Sequence, residues 1–200
     1  MKTIALTGGI GCGKSTLVQW LGRSGIALVD TDLLARIVVE PGAPALEEIR
    51  IRFGDSVLDD QGRLRRAALA DRVFADAAAR RDLEAILHPR IRVAWRTEAA
   101  AWKQAGRDLG VVVIPLLFEI GAEKEFDGAV CVGCSERVQW ERLRTRGWSD
   151  AQIRQRLAAQ WPVAEKMARS DRVIWNNGDL RMLEEQAKRV FSGFFLRAFW

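Results

Sequence analysis

The 200-residue chain has no tyrosine, one histidine and three cysteines. So few imidazole and thiol ligands leave little from which to build a zinc site. Sparse cysteine also fits a reducing compartment better than a disulfide-stapled secreted fold. Cys131-Val-Gly-Cys134 is a lone C-x-x-C with no second pair, and it reads as two buried or strand-end thiols. No apolar run is long enough to cross a bilayer. The early apolar residues lack the layout of a signal peptide, so the expected compartment is the cytoplasm. No basic run or aromatic-basic module of a nucleic-acid reader is present. Neither nucleic acid nor membrane is therefore an expected partner. What the chain does have is 48% hydrophobic residues, enough for a globular core, and a net charge of +5 with pI about 9.6. That charge permits an anionic partner without naming one. The eight tryptophans are dispersed and read as core or half-buried residues. The length suits one domain, or a core with a modest insertion.

The richest stretch is Thr3 to Thr16, TIALTGGIGCGKST. A short apolar run, expected as a strand at Ile4–Leu6, leads into glycines at 8, 9, 11 and 13. Lys14-Ser15-Thr16 then opens a helix carrying Leu17, Val18 and Leu21 on one side. Gly8-x-x-x-x-Gly13-Lys14-Ser15 fits the P-loop pattern, in which backbone N–H groups and a helix N-terminus cradle phosphates. Lys14 would reach the β- and γ-phosphates, and the Ser15 hydroxyl would bind Mg²⁺.

Ile26–Val29 reads as a second strand. It delivers Asp30-Thr31-Asp32 at its carboxyl end, where open α/β sheets place ligands. Either acid could instead cap the next helix, Leu33–Val39. From Ala45 to about Gly106 the pattern is helical without a clear strand, and Asp59-Asp-Gln-Gly62 is a turn. This long excursion carries many arginines, Arg92 among them, most of them expected on solvated faces. His88-Pro89 reads as a helix break. Val111–Ile114 is the next buried strand. It ends in Pro115-Leu-Leu-Phe-Glu119, where Glu119 is the nearest acid. Gly128–Val132 and Arg172–Trp175 complete the strands. Ser135, Ser149 (with Gln152 as a capping box) and Asp179 are helix caps. The two arginine-bearing helices between Ser135 and about residue 161 look like a mobile lid. The chain ends in an aromatic tail, Phe191 to Trp200, expected to pack on the core.

Taken together these stretches resemble the dephospho-CoA kinase family. The likeness covers nearly the whole chain. It runs through LTGGIGCGKST, VDTD at 29–32, VVEPGAPALEEI at 38–49, FGDSVLDDQGRLRR at 53–66 and HPRIR at 88–92. It continues through PLLFE at 115–119, ERLRTRGWS at 141–149, LAAQ at 157–160 and DRVIWNNG at 171–178. The resemblance implies an α/β fold: a P-loop kinase core with a parallel sheet flanked by helices, a helical acceptor-binding insertion and a helical lid. It implies a core over 1–44 and 107–200, a lid over about 138–161, and a CoA-binding insertion over 45–106. It further implies transfer of phosphate from ATP, with Mg²⁺, to the ribose 3′-hydroxyl of dephospho-CoA. The products would be CoA and ADP, in the last step of CoA biosynthesis.

By position, Gly11, Cys12, Gly13, Lys14, Ser15 and Thr16 would hold the ATP phosphates, with Ser15 on the metal. Asp32 would be the base near the 3′-hydroxyl, acting with Lys14 and the lid arginine, Arg142. Asn176 and Gly178 would approach adenine. His88, Arg92, Pro115 and Leu116 would join Asp32 on the acceptor. Cys12 stands where the family often has Ser, and Val113 where many members have Asp. The expected assembly is a monomer or weak homo-oligomer. Other readings are a P-loop kinase for a different small acceptor, or a nucleotide switch. The absence of an Asn-Lys-x-Asp guanine motif counts against the switch.

Overall fold

Apolar β-branched runs with buried neighbours on both faces make strands of a parallel sheet, and the chain supplies them in order. A computed structural model describes residues 1–194, apart from the side chains of Phe74 and Ala75. The expected packing of Phe195, Phe199 and Trp200 lies outside the described residues. Strand β1 (Lys2–Gly8) leads through the glycine loop to α1 (Lys14–Arg23). Strand β2 (Ala27–Asp30) starts and ends one residue later than its sequence suggests. The first unit also holds β3 (Leu109–Val113), β4 (Gly128–Gly133), α6 (Glu136–Thr145), α7 (Asp150–Ala158), α8 (Val163–Arg169), β5 (Arg172–Trp175) and α9 (Leu180–Ser192). The strand order is β2-β3-β1-β4-β5. The pairs β1–β3, β1–β4 and β4–β5 are parallel, with Ile4 opposite both Val111 and Gly128.

This order places β1 at the centre and the glycine loop at its carboxyl end. β1 pairs with β3 on one side and with β4 on the other, so the loop opens where the winding reverses, the usual ligand position of such sheets. The core joins Ile4, Leu6, Val111, Val113, Val130 and Val132 of the sheet to Leu17 and Leu21 of α1 and to Leu183 and Phe191 of α9. Phe194 packs against it as well. At the β5 edge, Gln186 of α9 bonds both backbone groups of Trp175. The Trp175 N–H donates to Gln186 Oε1 (3.0 Å) and Gln186 Nε2 donates to the Trp175 carbonyl (2.9 Å).

Two compact units divide the chain, one formed by residues 1–28 and 101–200, the other by residues 29–100. The second unit holds α2 (Thr31–Ile37), α3 (Pro44–Phe53), α4 (Arg66–Ala75) and most of α5 (Ala77–Gln104). Asp30 caps α2, accepting from the Asp32 N–H (2.8 Å), so the helix begins at Thr31 rather than Leu33. Its core gathers Val39, Leu46, Ile49, Phe53, Val57 and Leu69, with Leu83, Ile86 and Leu87 against it.

The expected break at His88-Pro89 does not occur. Helix α5 runs through Pro89 for 28 residues. Pro89 has no N–H to give the preceding turn, a local loss. One turn earlier, Leu83, Ile86 and Leu87 pack on the unit's core. The Arg90 guanidinium bridges the weakened turn, donating to the Ile86 carbonyl (2.7 Å) and to Glu48 (2.5 Å). Packing and this clamp outweigh the proline.

Candidate nucleotide-binding site

Helix α1 has no side-chain cap at its start and no acid in its first turn. Its first N–H groups and positive dipole end are thus left for an anion. Gly13, at φ +92°, makes the turn into it. A Cβ there would fall 2.0 Å from Asn176 Nδ2, so backbone conformation and space both require glycine.

Two buried amides shape the loop. Gln139 of α6, 5% exposed, donates to the Ile10 carbonyl (2.7 Å), and Asn176, 6% exposed, donates to the Cys12 carbonyl (2.8 Å). In a trans peptide the C=O and the following N–H point opposite ways. Tying these two carbonyls to side chains therefore turns the Gly11 and Gly13 N–H groups to the loop's other side, as a phosphate cradle needs. The Lys14 ammonium donates back to the Gly8 carbonyl (3.1 Å). Ser15 and Thr16 are exposed at the helix start. Arg142 Nη1 lies 3.5 Å from the Cys12 carbonyl and Nη2 3.5 Å from Asn176 Oδ1.

Beside the loop lies an open cavity of about 430 Å³. It is lined by Gly11, Gly13, Thr16, Arg142, Asn176 and Gly178 among the residues singled out from sequence, and also by Thr145, Arg146, Leu180 and Leu183. The volume is of the size that holds a nucleoside. Helix α6, which carries Arg142, starts at Ser135, whose hydroxyl accepts from the Val138 N–H. Helix α7 starts at the Ser149–Gln152 capping box read from sequence.

Past β3, Pro115 is half-buried and Leu116 is exposed. The Pro115 carbonyl is held by Thr7 Oγ1 (3.2 Å) and by the ammonium of Lys166 (2.8 Å). Lys166, fully buried, pairs with Glu119 at 2.6 Å, and Glu119 Oε1 also accepts from the Trp161 N–H (2.9 Å). Glu119 is thus engaged in a buried ion pair, and the nearest acid to this strand end works as a clamp on the segment entering α8. Neither Lys166 nor Gln139 was legible as a site residue. A lysine and a glutamine at unremarkable helical positions give no signal until their partners, tens of residues away, are known.

In the second unit, Asp32 is exposed in the first turn of α2. His88 and Arg92 are exposed one turn apart on the same face of α5.

Among the described residues no group of three or more His, Cys, Asp or Glu could hold a metal. The exposed Ser15 hydroxyl at the cradle mouth suits a divalent cation that arrives on nucleotide phosphates and takes one protein oxygen. No helix is long and apolar enough to cross a membrane among those residues.

A phosphate cradle on the central strand of a parallel α/β sheet, with an adjoining nucleoside-sized cavity and arginine-bearing helices, defines a P-loop protein of the kinase type. The model of the dephospho-CoA kinase family matches residues 2–182, and the chain belongs to that family. Dephospho-CoA kinase of Anaeromyxobacter dehalogenans is 48% identical over 96% of this chain and 92% of the relative. That of Syntrophotalea carbinolica is 45% identical over the same shares. A crystal structure of a Thermus thermophilus protein superposes with a TM-score of 0.85 at 35% identity, covering 96% of this chain and 97% of that one. Dephospho-CoA kinase from Campylobacter jejuni, at 24% identity, has the same fold, with a TM-score of 0.73 over 96% of each chain.

Proposed function

We propose that the chain transfers the γ-phosphoryl group of Mg²⁺-ATP to the ribose 3′-hydroxyl of dephospho-CoA, giving CoA and ADP in the cytoplasm. The activity of the family is phosphorylation of dephospho-CoA, and 48% identity to a curated member along nearly the whole chain is the observation that carries the reading. The cradle and cavity support it from the nucleotide side.

In this reading the N–H groups of Gly11 to Thr16 bind the phosphates, and Lys14 leaves the Gly8 carbonyl to reach the β- and γ-oxygens. The Ser15 hydroxyl would hold Mg²⁺, which would supply positive charge against the phosphates. Asn176 and Gly178 border the adenosine. Residues 138–161 act as the lid, and Arg142 neutralises charge on the transferred group as the lid excludes water. Residues 45–106 form the CoA-binding part. His88 and Arg92, with Asp32, Pro115 and Leu116, bind the acceptor. Asp32 orients the 3′-hydroxyl and accepts its proton late. A carboxylate is a far weaker base than an alkoxide, so orientation is the larger share of its work. The protein works as a monomer or weak homo-oligomer.

The deciding assay measures ADP release with Mg²⁺-ATP and dephospho-CoA, AMP, adenosine, a sugar or no acceptor. Release that depends on dephospho-CoA and yields CoA is expected. Release only with another acceptor, or none despite tight nucleotide binding, would overturn the assignment.

A further inference from the structure

Cys12, at the turn of the phosphate loop, and Cys134, which follows β4 and precedes the cap of α6, come together across 122 positions of the chain. Their sulfurs are 3.4 Å apart, and both are buried. Cys131, the other half of the C-x-x-C, is not the partner of Cys134. Cys131 lies within β4, whereas Cys134 lies past its end.

We propose that Cys12 and Cys134 are a modification site, joined by a hydroperoxide into a reversible intrachain disulfide that disables the phosphate cradle. Chemistry favours this pair over the third cysteine. The contact with Cys12 and, after it, the Arg142 guanidinium hold the Cys134 thiol below its ordinary value, against the opposing effect of burial. The same contact and burial push Cys12 up, so of the two sulfurs Cys134 is the more readily ionised. Burial pushes Cys131 up to about 11, leaving it inert.

The Cys134 thiolate attacks one peroxide oxygen, the O–O bond breaks, and the alkoxide or hydroxide leaves with a proton. This forms a sulfenic acid on Cys134. The Cys12 sulfur then attacks the Cys134 sulfur. The S–O bond breaks, and hydroxide departs with the Cys12 proton as water. The two thiols lose two electrons and the peroxide gains them.

Bonding requires the sulfurs to close by ~1.4 Å, to the ~2.0 Å of a disulfide. Cys12 cannot follow freely. Its carbonyl is held by Asn176, its N–H by the Gly9 carbonyl (3.2 Å), and its sulfur lies under Gly9, where a Cβ would be 2.9 Å away. Drawing it toward β4 therefore pulls the cradle out of shape and ties it to the base of α6.

The test treats the reduced, nucleotide-free protein with hydrogen peroxide. Digestion without reductant should give a Cys12–Cys134 linked peptide, two hydrogens lighter than the free pair. Binding of a fluorescent ATP analogue should weaken at least tenfold and return with dithiothreitol. Cys134→Ser should keep its untreated nucleotide affinity and lose the sensitivity, while Cys131→Ser stays sensitive. No linked peptide, a Cys131–Cys134 link, or a Cys134→Ser protein that still loses binding reversibly would overturn the proposal. Mass and nucleotide binding are read without the acceptor, so the result is separable from the assay of the transfer reaction.

Discussion

The first unit carries exposed pairs such as Arg144–Asp150, as the second does, but it also has buried polar side chains with distant partners. Gln139, Asn176 and Lys166 each fix a carbonyl that the loops would otherwise leave to water. In the second unit the pairs are on the surface. Arg50 bonds Glu47 and Asp55, Arg52 bonds Asp82, and Arg63 bonds Asp59, all with substantially exposed side chains. A site that must hold a fixed anion needs a backbone locked from behind. A helical surface that must meet a larger acceptor can keep its side chains in solvent. The contrast teaches that buried polar contacts here shape geometry, whereas exposed ones mostly supply solubility and local helix support.

The sharpest way to break the comparison is at Asp32, an exposed residue of the second unit for which we expect the greatest consequence. Asp32→Asn should cut kcat by about a thousandfold while ATP still binds. Steady-state rates beside nucleotide titration would show it, and near-normal turnover would remove Asp32 from the reaction.

Next in size is Lys166. Lys166→Met leaves Glu119 buried without its cation, and unfolding in denaturant should show a loss of about 3–5 kcal/mol. Replacing Glu119 with Leu in the same protein should recover most of it. Asn176→Ala leaves the Cys12 carbonyl only its longer contact with Arg142, an expected loss of about 1–3 kcal/mol that should appear as a raised KM for ATP with less effect on KM for the acceptor. Equal effects on both would mean that Asn176 serves the whole fold and not the cradle. By contrast Arg52→Ala, which removes an exposed pair of the second unit, should cost less than about 1 kcal/mol.

The smallest effect concerns acid. The Arg50 guanidinium, by hydrogen bond and charge, holds Glu47 below the usual carboxylate range. The Arg63 N–H and guanidinium do the same for Asp59. Such depressed groups contribute stability that is complete above their ordinary values of 4.5 and 3.8, and it is lost as pH falls through the lowered ones. Because Glu47 is exposed and Asp59 partly so, substituting either should displace the curve of stability against pH only slightly, with the displacement present above the ordinary values and vanishing on the low-pH arm.

Much of this was legible in the sequence because it is local. The glycine loop, the Ser135 and Asp179 caps, the Ser149–Gln152 box and the last strand each depend on residues within a few positions of one another. What could not be read depends on distant partners. Gln139 meets Ile10 across 129 positions, Asn176 meets Cys12 across 164, and Cys134 meets Cys12 across 122. Pro89 misled for the related reason that a local rule was overruled by packing. Its helix is held by Leu83, Ile86 and Leu87 and by an arginine reaching Glu48 on another element.

The amide of Gln186, set against the outermost strand, has a consequence of a different kind. A parallel sheet with an open side is a template on which an identical molecule can lay down a further strand, and exposed Val173 and Trp175 would make that surface adhesive. By occupying both the donor and the acceptor of Trp175, the Gln186 side chain stands in for the missing neighbour. At that residue the edge is closed from within the molecule, and neither backbone group of Trp175 is left to pair with a further strand.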